Sequence, residues 1–415
     1  MKYKFIFDLD GTITQEETLP LIAKSFQCEE QIERLTQETI RGNIPFIESF
    51  IKRMAILGRY PVSEVKVLLS RVALAEEIVK FITQNREDCI IATGNFSGWV
   101  DGLIEQIGCE YYASKALVKD DKIVKLTHIL KKEEIVGKYQ KEGYTVVMIG
   151  DGNNDMEAMR QADISIACGL IHYPANSIMT IADYCVFDQK SLYRLLMQIL
   201  APKEGTSLVL SCAGIGSRLG LDKTKALIEI ENKKLIHHQL EAFKKIEDVR
   251  IVVGYQANSV IEAVLQMRED VIFVFNHDYF YTKTGTSFYL GARHGRQYAI
   301  AWDGDLIVNP KDIEHCLNHE GEYVGCSKKV TDDAVFVKIN DYNEVIGFSR
   351  ENGDYEWSGP AKLKKENIPY VSTNVYNQIE PLLPLPMLKI DAQDIDTYDD
   401  YLQAIELMRS WKDDQ

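Results

Sequence analysis

Apolar residues fall along this chain in short runs that alternate with stretches of helical period. The runs at 5–7, 89–92, 145–149, 207–212, 250–254 and 299–302 read as buried strands. The stretches at 19–26, 44–57, 63–74 and 191–200 carry apolar residues at three- and four-residue steps and read as amphipathic helices. Strands alternating with helices predict an α/β fold with parallel sheets. Proline and glycine at 201–206 break the pattern after a helix and before a fresh strand, so two domains are expected, at 1–203 and 206–415. Each opens with a strand running into a polar loop, and open parallel sheets bind ligands at the carboxyl ends of their strands. No repeat of 20–50 residues is visible, and the prolines at 381–386 read as a bend.

Composition narrows the partners. With 47 Lys+Arg against 62 Asp+Glu, the 415-residue chain carries a formal charge of −15. That field opposes general nucleic-acid or anionic-membrane binding, so phosphorylated ligands need local cations. No apolar run reaches the length of a membrane span, and acids interrupt the first residues too early for a secretory leader. The eight cysteines form no CxxC pair and read as reduced thiols of a cytoplasmic protein without a zinc site. A homo-oligomer is compatible with this composition.

In the first half, Phe5-Ile6-Phe7-Asp8-Leu9-Asp10-Gly11-Thr12 is an apolar strand running into two acids. If the strand continues through them, Asp8 and Asp10 project to one side, and Gly11 then lets the backbone turn away. Carboxylates crowded in this way suit a hard cation such as Mg2+. A second acidic cluster, Gly150-Asp151-Gly152-Asn153-Asn154-Asp155, also follows a strand, and the strand at 89–92 ends in Thr93-Gly94-Asn95. The Thr93 hydroxyl and nearby N–H groups can hold phosphate oxygens, and Lys132, with Lys131 beside it, adds positive charge. In this order, the motifs resemble those of the haloacid dehalogenase-like phosphatases, nearest the phosphoserine-phosphatase-like branch, over about the first 200 residues. The resemblance implies a Rossmannoid core with a small helical cap at about 15–86 that excludes water. It implies Asp8 as nucleophile and Asp10 as acid, then base. It implies Asp8, Asp151 and the main chain of Asp10 around Mg2+, with Asp155 in support. Thr93, Gly94 and Lys132 would hold the phosphoryl group, Lys131 replacing Lys132 if the register is one residue off. Glu16, Glu17, Arg41 and Arg53 are cap candidates for substrate contact or for surface ion pairs. The full cap set that would identify phosphoserine is not seen.

The second half opens Ser211-Cys212-Ala213-Gly214-Ile215-Gly216-Ser217-Arg218-Leu219-Gly220, followed by Thr224-Lys225-Ala226-Leu227. Glycines after a buried strand let N–H groups approach phosphates. No GxxxxGK[ST] loop occurs, and the close Arg and Lys fit a dinucleotide fingerprint poorly. The string resembles the signature of sugar-1-phosphate-type nucleotidyltransferases, with Thr224 matching the branch of bacterial CTP:phosphocholine cytidylyltransferases. That resemblance implies a Rossmann-like α/β domain in which Gly214, Gly216 and Ser217 line the triphosphate of CTP. It implies charge compensation by Arg218 and Lys225, and base or ribose contact at Gly254 and Tyr255. It further implies Mg2+ at Asp305 (with Asp303 second) and at Asp394 and Asp396, which can face one metal as alternate strand residues. The aromatics Tyr279, Phe280, Tyr281, Trp302, Tyr355 and Trp357 offer a cation–π cage for a quaternary ammonium, or plain packing. His237-His238 reads as a helix face.

These readings predict a bifunctional enzyme for surface-polysaccharide or lipid decoration. The second domain would pass CMP to a phosphorylated alcohol, polyol or sugar, and the first would hydrolyse a related phosphate monoester. The alternatives are a uridylyl or other nucleotidyl donor with a sugar 1-phosphate, or one inert, regulatory domain.

Overall fold

The computed structural model describes residues 2–40, 43–216, 223–328, 335–353 and 355–413. The chain divides into two compact units, Met1–Leu196 and Met197–Gln415.

In the first unit, five parallel strands run in the order Tyr184–Val186, Ile164–Cys168, Thr145–Gly150, Tyr3–Phe7, Cys89–Phe96. Glu110–Lys119 continues the sheet in parallel and turns back as an antiparallel hairpin with Lys122–His128. The central strands are covered on both faces, which is why they read as continuous apolar runs; Phe5, Ile6, Phe7, Ile90, Ile91, Val147 and Ile149 are fully buried. Phe7 pairs with Ile149 on one side and Ile91 on the other, so the polar loops after three strands open at one sheet edge.

Helices Thr18–Ser25, Glu29–Ile40, Phe46–Leu57 and Val62–Leu69 form the cap. The chain enters and leaves it side by side: Thr14 bridges Leu74, and the Gln15 N–H donates to Ala73 O at 2.8 Å. The expected cap limit near residue 86 runs too far. Helix Glu76–Gln84 packs on the sheet, with Phe81 edge-on to Phe5 at 5.1 Å. Burying a ring of this kind contributes roughly 1.5–3 kcal/mol, which draws that helix to the core.

In the second unit, Ile272–Phe275, Val249–Val253, Thr206–Cys212 and Tyr298–Asp303 are parallel, and Tyr355–Lys364 joins antiparallel. Tyr355–Lys364, Phe336–Ile339, Glu344–Ser349, Leu385–Lys389 and Tyr323–Lys328 each pair with the next and close a ring. A separate two-strand ladder pairs Leu306 with Asp394. All eight cysteines are free, and all but Cys109 are buried. Among the described residues, no helix is long and apolar enough to cross a membrane.

Candidate active sites

The strand Tyr3–Phe7 ends before the first acid, so Asp8 and Asp10 do not alternate along a continuing strand. The chain turns at once: Ile13 and Thr14 N–H groups donate back to Leu9 O at 2.9 and 3.0 Å, and Gly11 takes a φ of +68°. Asp8 is buried, with Oδ1 accepting from Leu9 N–H at 2.7 Å and standing 2.7 Å from Lys132 Nζ. Lys132 also donates to Asp155 at 2.5 Å, whereas Lys131 is exposed and faces Glu134 at 3.9 Å. The second oxygen of Asp155 accepts N–H groups of Asp151 and Gly152, both at 3.1 Å. Asp10 turns elsewhere, accepting from Thr18 N–H at 3.1 Å and from the Asn95 amide at 2.5 Å. Thr93 is buried, its hydroxyl accepting the Asn95 N–H at 3.1 Å; no heavy atom lies within 4 Å of where a Cβ on Gly94 would sit.

Burial dominates the electrostatics here. It pushes Asp8 up to about 7, against the lowering pull of Lys132, and Asp10 up to about 8, with Glu17 and Asp8 adding repulsion. Asp151 rises to about 6, mainly by burial. Lys132 is raised because Asp155 and Asp8 outweigh its own burial. Oxygens of Asp8, Asp151 and Asp155 lie within 4.8 Å of one another. Buried carboxylates that share one lysine fit a divalent ion with hard oxygen ligands. Two residues had no role in the sequence reading: Asn95, named only as part of the Thr93 motif, and His172, whose Nε2 stands 3.1 Å from Asp151 and 3.0 Å from Glu17. Half-buried Arg53 feels the charge of Glu17, whereas Glu16 is exposed.

The second unit holds a cavity of about 620 Å3 at the carboxyl ends of its parallel strands. Gly214, Gly216, Lys225, Asp303, Asp305, Asp394 and Asp396 line it. Gly214 has open space beside its Cα, and Gly216 has a φ of +69°, its missing Cβ 2.9 Å from Lys223 O. Lys225 donates to Asp305 at 2.6 Å and also to Asp396. The acids arrive from distant segments because the ladder sets Leu306 against Asp394 and the Ile395 N–H donates to Asp305 O at 3.1 Å. Burial, with Asp305 and Asp396 close by, pushes Asp303 up to about 7 and Asp394 well above its usual range. Asp394 Oδ1 is buried without a hydrogen-bond partner among the described residues. An orphaned carboxylate oxygen among acids that share one lysine fits a Mg2+ ligand.

Ser217, Arg218 and Arg41 lie outside the described residues. Gly254 and Tyr255 do not line the cavity; Tyr279, which packs against both, does. The aromatic cage is not assembled. Trp302 is buried edge-on to Phe243 at 5.0 Å, and Phe280 and Tyr281 are exposed by 69% and 83%. Tyr355 meets Lys389, which leaves Trp357 and Tyr279 at the cavity with Tyr376, over which Arg350 sits at 5.8 Å. His237 and His238 lie on helix Leu235–Ala242 and contact main-chain carbonyls.

Comparison with known proteins covers both halves. Residues 5–163 match the family model of haloacid dehalogenase-like hydrolases. A phosphoserine phosphatase of Methanocaldococcus jannaschii is 31% identical over 179 residues, which is 40% of this chain and 85% of that protein. The chain belongs to the haloacid dehalogenase-like hydrolase family. Residues 208–342 match the model of a MobA-like NTP transferase domain, so a transferase domain follows the hydrolase domain in one chain. A phosphoserine phosphatase of Archaeoglobus fulgidus is 27% identical over 179 residues, 40% of this chain and 52% of that protein. Among solved structures, CTP:phosphocholine cytidylyltransferase from Streptococcus pneumoniae is 19% identical with a TM-score of 0.41, covering 49% of this chain and 99% of its own.

The chemistry open to the hydrolase domain follows from Asp8. One of its oxygens is anchored by Leu9 and Lys132, and the other receives, among the described residues, a 3.4 Å bond from Asn154. In the transferase domain, Lys225 is the cation that the described residues bring to the acids.

Proposed function

We propose a bifunctional cytoplasmic enzyme. Its hydrolase domain cleaves a phosphate monoester through an aspartyl-phosphate on Asp8. Its transferase domain passes CMP from CTP to a phosphorylated alcohol, polyol or sugar and releases pyrophosphate. The observation that carries the reading is the lysine at each site, Lys132 between Asp8 and Asp155 and Lys225 between Asp305 and Asp396.

In the hydrolase domain, the freer Asp8 oxygen attacks phosphorus while Asp10 gives its proton to the departing alcohol oxygen. Burial favours a protonated Asp10 at neutral pH, and Thr18 and Asn95 hold its carboxyl in place. Water then attacks the aspartyl-phosphate, Asp10 takes back a proton, and phosphate leaves. Lys132, Thr93 and the Gly94 main chain hold the phosphoryl oxygens. Mg2+, held by Asp8, Asp151 and the Asp10 carbonyl with Asp155 in support, would draw off their charge. The named relatives are phosphoserine phosphatases, and Glu17 and Arg53 offer opposite charges suited to a substrate carrying both an ammonium and a carboxylate.

In the transferase domain, an acceptor phosphate oxygen attacks the α-phosphorus, the bond to the β-phosphate breaks, and no general base is needed because the acceptor is already an anion. Gly214, Gly216 and Ser217 would cradle the triphosphate, with Arg218 and Lys225 offsetting charge. Gly254 and Tyr255 would act behind Tyr279 in shaping the base or ribose subsite. Mg2+ held by Asp305, Asp394 and Asp396 would clamp the phosphates. The lean toward cytosine rests on Thr224, buried and bonded through its N–H to Gln256 at 3.2 Å.

The covalent step has a direct test. Rapid acid quench during turnover of a labelled phosphate monoester should leave label on the peptide containing Asp8, and Asp8→Asn should leave none. An unlabelled wild-type protein that still turns over would remove the covalent path.

A further inference from the structure

Three side chains from separate segments, two of them with no part in the acidic motifs, meet at the mouth of the hydrolase site. Glu17 precedes the first cap helix, Asp151 follows the strand Thr145–Gly150, and His172 sits in the loop after Ile164–Cys168. That loop is fixed on either side of His172: Gly169 N–H donates to Val186 O at 2.8 Å and Ala175 N–H to Asp151 O at 2.9 Å. The His172 ring has a defined direction. Nδ1 lies 3.1 Å from Tyr173 O, a contact that requires a proton on Nδ1, and Nε2 faces Asp151 Oδ2 at 3.1 Å and Glu17 Oε1 at 3.0 Å.

Without a metal, the two carboxylates push the imidazole up to about 11, so a proton on Nε2 stands between them; a divalent cation at that point would take the proton's place and keep all three ligand atoms. Histidine ligands ordinarily donate their other ring N–H to a carbonyl or carboxylate, as Nδ1 does here. For ligands about 2.1 Å from an octahedral metal, adjacent donors stand about 3.0 Å apart (about 3.4 Å in a tetrahedral site), so both contacts of Nε2 match octahedral spacing. One atom from each residue falls within 4.8 Å of the others. Two carboxylates and an imidazole suit a borderline ion, whereas Mg2+ prefers oxygen alone.

We propose that Glu17, Asp151 and His172 form a second cation site, selective for a first-row divalent ion that accepts octahedral coordination, such as Co2+, beside the Mg2+ site and sharing Asp151 with it. Its occupant engages Glu17, the carboxylate assigned above to substrate recognition, and ties the cap entrance to the sheet edge. Borderline metals would therefore restrain the hydrolase. Only that consequence rests on the proposed function; the site itself is defined by metal binding.

The test titrates the full chain with Co2+ in millimolar Mg2+. Visible absorption follows occupancy, and proton NMR looks for a solvent-exchangeable, paramagnetically shifted imidazole N–H. The wild type should show one such resonance, and His172→Ala should abolish it. Affinity should fall by at least about tenfold in both His172→Ala and Glu17→Gln. His172 and Glu17 are exposed by 43% and 37%, so neither change removes core packing, and a melting curve checks each variant. Absence of the resonance in the wild type, or equal affinity and spectra in the variants, would overturn the site and leave His172 as an ion-pair partner. Failure of the hydrolase reading looks different: no phosphate release with Mg2+, with the Co2+ signature intact.

Discussion

At the scale of single residues, burial decides the character of both sites. Lys132 lies within ion-pair distance of two carboxylates, yet Asp8 still rises to about 7, because desolvation outweighs one shared ammonium. Burial, with repulsion from Glu17 and Asp8, raises Asp10 to about 8 and keeps it able to donate a proton. Asp10→Asn should therefore slow hydrolysis of alkyl phosphates by roughly 10²–10⁴-fold. It should slow p-nitrophenyl phosphate far less, since that leaving group needs no proton. Equal losses on both substrates, read as kcat, would deny Asp10 the acid role. In the transferase domain, Lys225→Met should lower pyrophosphate release by roughly 10²–10³-fold, the usual effect of removing one group that meets developing charge. Asp8 and Asp151 were legible because each follows an apolar run, whereas Lys132, which opens a helix, was placed by the order of the motifs. Asn95 was named beside Thr93 but given no role because a lone amide carries no periodic signal, and His172 was missed because its loop has none either. The aromatic cage failed for a related reason: composition counts Trp302 but does not reveal that it is buried.

At the scale of elements, turns and short ladders do what strand periodicity was expected to do. The strand Tyr3–Phe7 stops one residue before Asp8, and the left-handed Gly11 swings the chain so that Asp10 faces Thr18 and Asn95. A Cβ on Gly11 would stand 2.5 Å from Asp151 Oδ2. Gly11→Ala should displace Asp151 and cost about 10²-fold in phosphate release, comparable with a small misplacement in other sites. The fold should survive, and a wild-type rate in that variant would show that the turn tolerates a methyl group. The pairing of Leu306 with Asp394 was beyond the sequence reading, because strands of three residues are too short to display a period. Helix Glu76–Gln84 falls within the expected cap span of about 15–86, and its contact with Phe5 places it on the sheet.

At the scale of the whole molecule, a hydrolase domain and a transferase domain occupy the two units. Alternating runs and the break at 201–206 made the α/β class and the two-part organisation readable. Stability of the second unit should depend on pH through His294. Burial, with Arg293, Arg250 and Lys365 adding repulsion, holds its imidazole down at about 3 from 6.5. Below about 6.5 the unfolded chain takes a proton that the folded chain refuses, so this contribution is complete above that pH and declines toward 3. The slope is about 1.4 kcal/mol per pH unit, and His294→Gln should flatten the acid side of the Tm profile. An unchanged profile would place the acid sensitivity elsewhere.

The central claim, that the two sites are separate and the second makes a CMP-activated product, is tested most directly by pyrophosphate release from the Asp8→Asn chain with Mg2+. CTP, UTP, ATP and GTP would each be tried with phosphocholine, phosphoethanolamine, aminoethylphosphonate, polyol phosphates and sugar 1-phosphates. Blocking the hydrolase keeps acceptors intact. We predict strong release with CTP and a phosphorylated alcohol, polyol or sugar, lost on adding Lys225→Met. Release confined to UTP with sugar 1-phosphates would contradict the cytidylyl assignment, and silence in every combination, together with no nucleotide binding, would contradict a working transferase.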